Sequence, residues 1–162
     1  MKKFLSLALA VVMTLSALLL TGCNAVKKNN VDAIKEASGN ISQIVETSAL
    51  VGDDMVIYSG NDDQIIPVMS LGGKGVISVL SNVMPRATQK MCDDYMSGNT
   101  AEALKAQLEL LPLINALFCE VNPIPVKTAM AVMGFCQEYL RLPLVTMEAS
   151  NRRSLLEAMA KA

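Results

Sequence analysis

Three short apolar runs, spaced so that a helix fits between each pair, constrain this chain more than any other feature. They are Val31-Asp32-Ala33-Ile34, Met55-Val56-Ile57-Tyr58-Ser59, and the stretch from Gly75 to Leu80. The second is apolar without alternation, the pattern of a parallel strand covered on both faces. Between the first two, Ile41 to Val51 predicts a helix with Ile41, Ile44, Val45 and Ala49 on one face. Asn40 and Gln43 resemble a capping box before it, and Gly52 is its stop. A second helix is predicted from Asp62 to Leu71, closed by Gly72-Gly73. Strand, helix, strand, helix, strand with right-handed crossovers gives an α/β layout: three adjacent parallel strands with helices on one side.

The candidate chemistry sits where these strands end, because loops at the C-terminal ends of parallel strands face the ligand side of such sheets. Lys35 stands where the first run hands over to the turn Ser38-Gly39-Asn40. By spacing alone it reads as a solvated lysine at a strand tip. The competing reading is an amine that forms a Schiff base with a carbonyl substrate, which needs a desolvated site so that neutral amine exists at about pH 7. Gly60, in Gly60-Asn61-Asp62-Asp63, either helps shape a ligand pocket or belongs to a turn and an acidic helix start. Gly72-Gly73-Lys74-Gly75 precedes a strand instead of joining strand to helix, so it is an αβ turn and not a phosphate loop.

From Pro85 onward the pattern is helical. The expected helices are Pro85 to Ser97, with Pro85 in the first turn and Gly98 as stop, and Thr100 to Phe118, bent at Pro112. The second is expected to turn Leu104, Leu108, Leu111, Asn115 and Phe118 to one face. Val126 to Gly134 follows Pro125, and Glu148 to Lys161 closes the chain with Leu155, Leu156 and Met159 inward. At 52% hydrophobic and 18% charged residues, the chain has the material for a core. A net charge of −1, 4% aromatic residues and no basic patch argue against nucleic acid as a partner. The absence of histidine excludes a histidine-based zinc site and both Ser-His-Asp and Cys-His mechanisms. Cys92, Cys119 and Cys136 lie in or beside helical apolar runs without a Cys-x-x-Cys pair, and are expected as buried thiols of a reducing compartment. Lys127 and Arg141 read as structural or surface ions.

The beginning of the chain points elsewhere. Met1-Lys2-Lys3 is a short basic region, and Phe4 to Leu20 is an apolar run interrupted only by Ser6, Thr14 and Ser16. Its ending, Leu20-Thr21-Gly22-Cys23, resembles a bacterial lipoprotein box. The expectation is a signal helix over residues 1–22 removed before Cys23, a lipid on Cys23 holding the exported chain to a membrane, and a polar tether over residues 23–30. A plain secretory leader and a membrane span are the alternatives, the run being at the lower limit for a bilayer.

Six blocks, taken in order, resemble the dihydrodipicolinate synthase (4-hydroxy-tetrahydrodipicolinate synthase) family. They are Ile34-Lys35-Glu36-Ala37-Ser38-Gly39-Asn40, Ser59-Gly60-Asn61-Asp62, Gly72-Gly73-Lys74-Gly75-Val76-Ile77-Ser78-Val79, Asn82-Val83-Met84-Pro85, Asn122-Pro123-Ile124-Pro125-Val126-Lys127 and Leu140-Arg141-Leu142-Pro143. The resemblance implies a partial (β/α)8 TIM barrel, the equivalent of its last three βα units over residues 31–97, followed by a C-terminal helical region over residues 98–162. It implies that Lys35 attacks the ketone of pyruvate as the catalytic amine, and that the enamine formed adds to aspartate semialdehyde in lysine biosynthesis. Gly60 and the main chain around Ile77 would hold the pyruvate. No cofactor or metal is implied beyond the covalent Schiff base. The family's proton-relaying tyrosine and threonines and its substrate-binding arginine lie outside these blocks, and Tyr58, within a strand, is not that tyrosine. The family is cytoplasmic, which stands against the exported, lipid-anchored leader.

A barrel closes only with all eight strands. Three strands alone leave both edges unpaired and one face stripped, which is an aggregation hazard. The expectation is therefore a fragment that does not turn over alone and that associates with copies of itself or with a complementary barrel fragment. The alternatives are a non-catalytic, membrane-tethered lipoprotein that reuses barrel elements, and a gene-fusion or assembly chimera of leader and fragment.

Overall fold

Local capping sets the first elements of the chain, and one buried carboxylate reshapes the segment after them. The computed structural model describes residues 32–162. The signal helix, Cys23 and the tether through residue 30 lie outside the described residues. Strand β1 (Ala33–Glu36) leads through a turn to helix α1 (Ile41–Val51). There the Asn40 side chain accepts from the N–H groups of Ser42 at 3.0 Å and Gln43 at 3.4 Å. This satisfies two of the donors that a helix start leaves free. Gly52, at φ 49°, closes the helix with its N–H on the Ser48 carbonyl, a backbone turn that disfavours side chains with a Cβ. Strand β2 (Val56–Ser59) then pairs in parallel with β1, setting Ala33 opposite Val56 and Lys35 opposite Tyr58. A 3-10 turn (Asp62–Gln64) leads into α2 (Ile65–Ser70). Ile44, Ile57 and Val68 form a small buried cluster between these elements.

The run from Gly75 to Leu80, expected as a third strand, shortens to one parallel bridge between Ser59 and Val76. Ser59 donates to the Gly75 carbonyl at 2.9 Å, and Ile77 donates to the Ser59 carbonyl at 2.8 Å. The cause of the break is Asp62, whose Oδ2 accepts from the N–H groups of Val79 at 2.8 Å and Leu80 at 3.0 Å. Those donors are no longer available to a strand ladder, and the chain curls into a 3-10 turn (Leu80–Asn82). The sheet among the described residues is thus two strands and a bridge.

Four helices complete the chain: α3 (Pro85–Met96), α4 (Thr100–Leu117), α5 (Ile124–Val132) and α6 (Ala149–Met159). Pro85 opens α3, where its missing N–H costs nothing. Glu120 Oε1 accepts from the Glu148 N–H at 3.0 Å and the Asn151 amide at 2.9 Å, fixing the start of α6. Glu138 accepts from Thr128 Oγ1 at 2.7 Å and meets Arg152 at 3.4 Å, joining α5 to α6. The main core draws on both halves of the chain, with Ile65, Leu80, Met91, Leu117 and Leu155 all sealed from solvent.

The inward face of α4 differs from the expected one. Ala103, Gln107, Leu110, Leu113, Ile114 and Leu117 are buried, whereas Leu104 and Leu108 are 48% and 59% exposed. Gln107 explains the rotation: its Nε2 donates to the Asp62 carbonyl at 2.8 Å and its Oε1 accepts from the Ile66 N–H at 3.3 Å. A buried amide satisfied on both sides fixes the angle of the helix. The cysteines also need correction, since Cys119 and Cys136 are exposed and only Cys92 is half-buried. Cys119 falls just past the end of α4 and Cys136 in the loop after α5, beyond the apolar faces that would cover them. No helix among the described residues is long and apolar enough to cross a membrane.

Candidate functional site

Three consecutive chain segments bring their ends to one place: β1 at Lys35 and Glu36, β2 at Ser59 and Gly60, and the bridge segment at Val76 and Ile77. Side chains alternate across a sheet. Ile34, Glu36, Ile57 and Ser59 therefore turn toward the covering helices, and Lys35 and Tyr58 turn the other way. Burial agrees with that alternation: Ile57, Ser59 and Glu36 are buried, whereas Lys35 is exposed. The face that carries Lys35 is the one no element covers among the described residues.

Gly60 is held against Lys35. Its N–H donates to the Glu36 carbonyl at 2.6 Å. A Cβ at this position would lie 2.7 Å from Ala37 Cβ, 3.0 Å from the Glu36 carbonyl and 3.0 Å from Lys35 Cε. The approach is too close for any side chain, so glycine here is a packing requirement that lets the lysine stem lie across the β2 end. Glu36 itself is drawn inward, its carboxylate accepting from the Ser38 N–H at 2.6 Å, which fixes the turn after Lys35.

Ile77 completes the triangle in a way the sequence alone did not specify. Its N–H is engaged by Ser59, so the main-chain groups left at this strand end are the Ile77 carbonyl and the Ser78 N–H, neither of which has a partner among the described residues. The Ile77 side chain is 48% exposed on the uncovered side. Tyr58 neighbours Lys35 across the pair and packs its ring toward Gly75, where a Cβ would meet it at 3.8 Å. The αβ turn reading of Gly72 to Gly75 holds: the Gly73 N–H donates back to the Val68 carbonyl at 3.0 Å, leaving no cradle of free amides for a phosphate.

Asp62 and Gln107 support this triangle from behind, and nothing in the sequence singles out either as a support. Asp62 is fully buried, and the two N–H groups it holds belong to Val79 and Leu80, the residues immediately after Ser78. Its second oxygen, Oδ1, has no partner among the described residues. An acidic residue at a helix start is so ordinary a signal that its long reach was invisible in the sequence. A cleft of about 510 Å³ lies alongside, lined by Tyr58, Val76, Ser78, Pro85, Thr88 and Cys92 among others. Lys35, Gly60 and Ile77 do not line it. Lys35 and Ile77 are exposed beside this cleft, and Gly60 is buried beneath the lysine stem. No group of residues among those described is arranged to hold a metal ion.

A parallel βα arrangement with a lysine at one strand end and close main-chain approach at the next two defines a class of α/β proteins whose ligand face is the C-terminal edge of the sheet. Comparison with known proteins narrows that class: residues 16–162 match the dihydrodipicolinate synthetase family, and the chain belongs to it. It is 53% identical over 135 residues to the 4-hydroxy-tetrahydrodipicolinate synthase of Alkaliphilus oremlandii, an alignment covering 83% of this chain and 47% of that protein. Among solved structures it is similar to the dihydrodipicolinate synthase of Thermotoga maritima, with 42% identity and a TM-score of 0.78 over 81% of this chain and 45% of that one. The Acinetobacter baumannii enzyme complexed with pyruvate is similar at 33% identity and a TM-score of 0.77, over 82% of this chain and 45% of that one. The neighbours are TIM-barrel dihydrodipicolinate synthases. The chain spans a little under half the length of these relatives.

Proposed function

We propose that this chain is the Schiff-base portion of a pyruvate-dependent, aldolase-type lyase of the dihydrodipicolinate synthase kind, equivalent to the last three βα units and the helical region after them. The observation that carries the reading is the close approach of Gly60 to the Lys35 stem at the strand ends, with the Ile77 N–H tied to the Ser59 carbonyl on the next segment. It is supported by relatives named 4-hydroxy-tetrahydrodipicolinate synthase and by a similar structure that holds pyruvate.

In the proposed chemistry the neutral Lys35 amine attacks C2 of pyruvate. The carbinolamine loses water to give the iminium, and loss of a C3 proton gives the enamine, which adds to the aldehyde carbon of aspartate semialdehyde. Hydrolysis then frees Lys35. Gly60 and the Ile77 carbonyl shape the space around the bound three-carbon unit. No metal or further cofactor enters this scheme. Lys35 is exposed on its open face, and a Schiff-base amine works best when desolvated. Turnover in this reading therefore requires further strands to cover the face, supplied by a complementary barrel segment.

Borohydride reduction in the presence of pyruvate tests the nucleophile. The expected result is a stable adduct that disappears in Lys35→Ala, and an unmodified chain at millimolar pyruvate counts against it. A second reading, a lipid-anchored and non-catalytic protein, is favoured by the Leu20-Thr21-Gly22-Cys23 box and by the same open face. It predicts a lipid on Cys23, export to a membrane and no pyruvate adduct, where the first reading is compatible with the cytoplasm. Genomic sequence across residues 23–31 in independent isolates separates both from a fusion or assembly product.

A further inference from the structure

Two helix ends leave an apolar cavity between them whose walls are fixed by the backbone. It measures about 420 Å³, with Val83, Met84 and Pro85 at the start of α3 on one side and Met133 and Phe135 past the end of α5 on the other. The N–H groups of Val83 and Met84 both donate to the Leu80 carbonyl, at 3.0 and 2.8 Å. Thr88 donates to the Met84 carbonyl through its N–H at 3.0 Å and its hydroxyl at 2.9 Å. Across the cavity, Gly134, at φ 81°, donates to the Ala131 carbonyl and Phe135 to the Met130 carbonyl, each at 3.0 Å, which is the Schellman closure of a helix. The Phe135 backbone is therefore pinned, yet its ring is 68% exposed, and Met133 is 41% exposed. An aromatic ring held ready beside a cavity lowers the cost of binding, because its backbone has no freedom left to lose.

The charge on the lining decides what the cavity takes. Arg86, also on the lining, is exposed, and its guanidinium meets no acidic side chain among the described residues. It stands in the first turn of α3, where no side chain caps the N–H groups and no acidic residue is present. A cation is unfavourable at that end of a helix, and a carboxylate on the guanidinium offsets it. The apolar walls favour a flat ring over an alkyl chain: Phe135 offers a ring face, and Met84 and Met133 offer thioethers, which make favourable contacts with aromatic edges. The volume lies near the lower end of the range for small-molecule sites, room for a fused pair of rings. We propose that this cavity binds a small aromatic carboxylate, its ring system against Phe135 and its carboxylate on Arg86. Lys35, Gly60 and Ile77 do not line it, so the site is distinct from the amine chemistry proposed above and does not depend on it.

Isothermal titration calorimetry of the purified full-length chain with naphthoate tests the site. The expected result is saturable, one-site binding below millimolar concentration, which Arg86→Gln and Phe135→Ala each weaken by about tenfold. Naphthalenemethanol, the same rings without the charge, binds the parent chain about tenfold more weakly than naphthoate and is indifferent to Arg86→Gln. Octanoate, an aliphatic carboxylate, also binds about tenfold more weakly. Lys35→Ala leaves naphthoate binding unchanged. An absence of saturable binding at millimolar naphthoate overturns the proposal. So does binding that is indifferent to either Arg86→Gln or Phe135→Ala, that is lost in Lys35→Ala, or that octanoate matches. Circular dichroism of each variant, expected to match that of the parent chain because both side chains are exposed, separates loss of the site from loss of fold.

Discussion

The strand-end face and the helical core behind it are built from neighbouring residues and behave as opposites. Behind the sheet, Leu80, Met91, Leu117 and Leu155 are sealed from solvent, and one cluster gathers side chains from nearly every helix. In front of it, Lys35 is exposed and Ile77 is 48% exposed. Stability resides in the first region, and the proposed chemistry is placed in the second. The fold is held where apolar area is buried, and the proposed reactivity sits apart from it.

Separating the two regions by mutation gives a graded series. Lys35→Ala should abolish the pyruvate–borohydride adduct while leaving the denaturation midpoint within experimental scatter, since the side chain contributes nothing to the core. Leu117→Ala should do the reverse, lowering stability by about 3 kcal/mol in a urea titration with the adduct still forming on the folded fraction. Asp62 joins the regions and breaks the clean division. Asp62→Ala leaves two buried N–H groups without an acceptor and should cost about 2 kcal/mol while also slowing adduct formation. Asp62→Asn, which keeps one acceptor oxygen, should recover about half of each loss. Gly60→Ala forces Lys35 and the Glu36 carbonyl apart, and trapping should slow by about tenfold, a change of about 1.4 kcal/mol in the barrier.

The smallest effect expected is a pH dependence at Cys92. Burial, helped by the nearby Asp93 carboxylate, pushes this thiol above its ordinary value of 9.0. Above that value the unfolded chain gives up the proton that the folded chain retains, so the folded state loses stability as pH rises past it and loses none below. Thiol labelling followed against pH should show Cys92 reacting only at higher pH than a free cysteine. Labelling of Cys92 as fast as a free thiol near neutrality would place it outside the core.

Local signals made the first half of the fold readable. Asn40, Gly52 and Pro85 act on their own neighbours, and the helix over Ile41–Val51 begins and ends where those residues put it. What escaped the sequence depends on contacts between distant residues. The third apolar run contains nothing that forbids a strand; its donors are removed by Asp62, 17 residues before Val79. The inward face of α4 had two solutions, because its leucines surround the helix, and a hydrogen bond from Gln107 to a residue 45 positions away chose between them. Lys35, Gly60 and Ile77 were nominated by resemblance. The structure adds the closeness of Gly60 to the lysine stem, and the finding that the Ile77 N–H is already engaged.

The central claim is that one amine among several was shaped for carbonyl chemistry, and peptide mapping of the borohydride-treated, pyruvate-exposed chain tests it most directly. The account predicts a reduced pyruvate adduct on the peptide containing Lys35 and none on Lys74, Lys90, Lys105 or Lys127. Modification spread evenly over those lysines, or absent from Lys35, would contradict it.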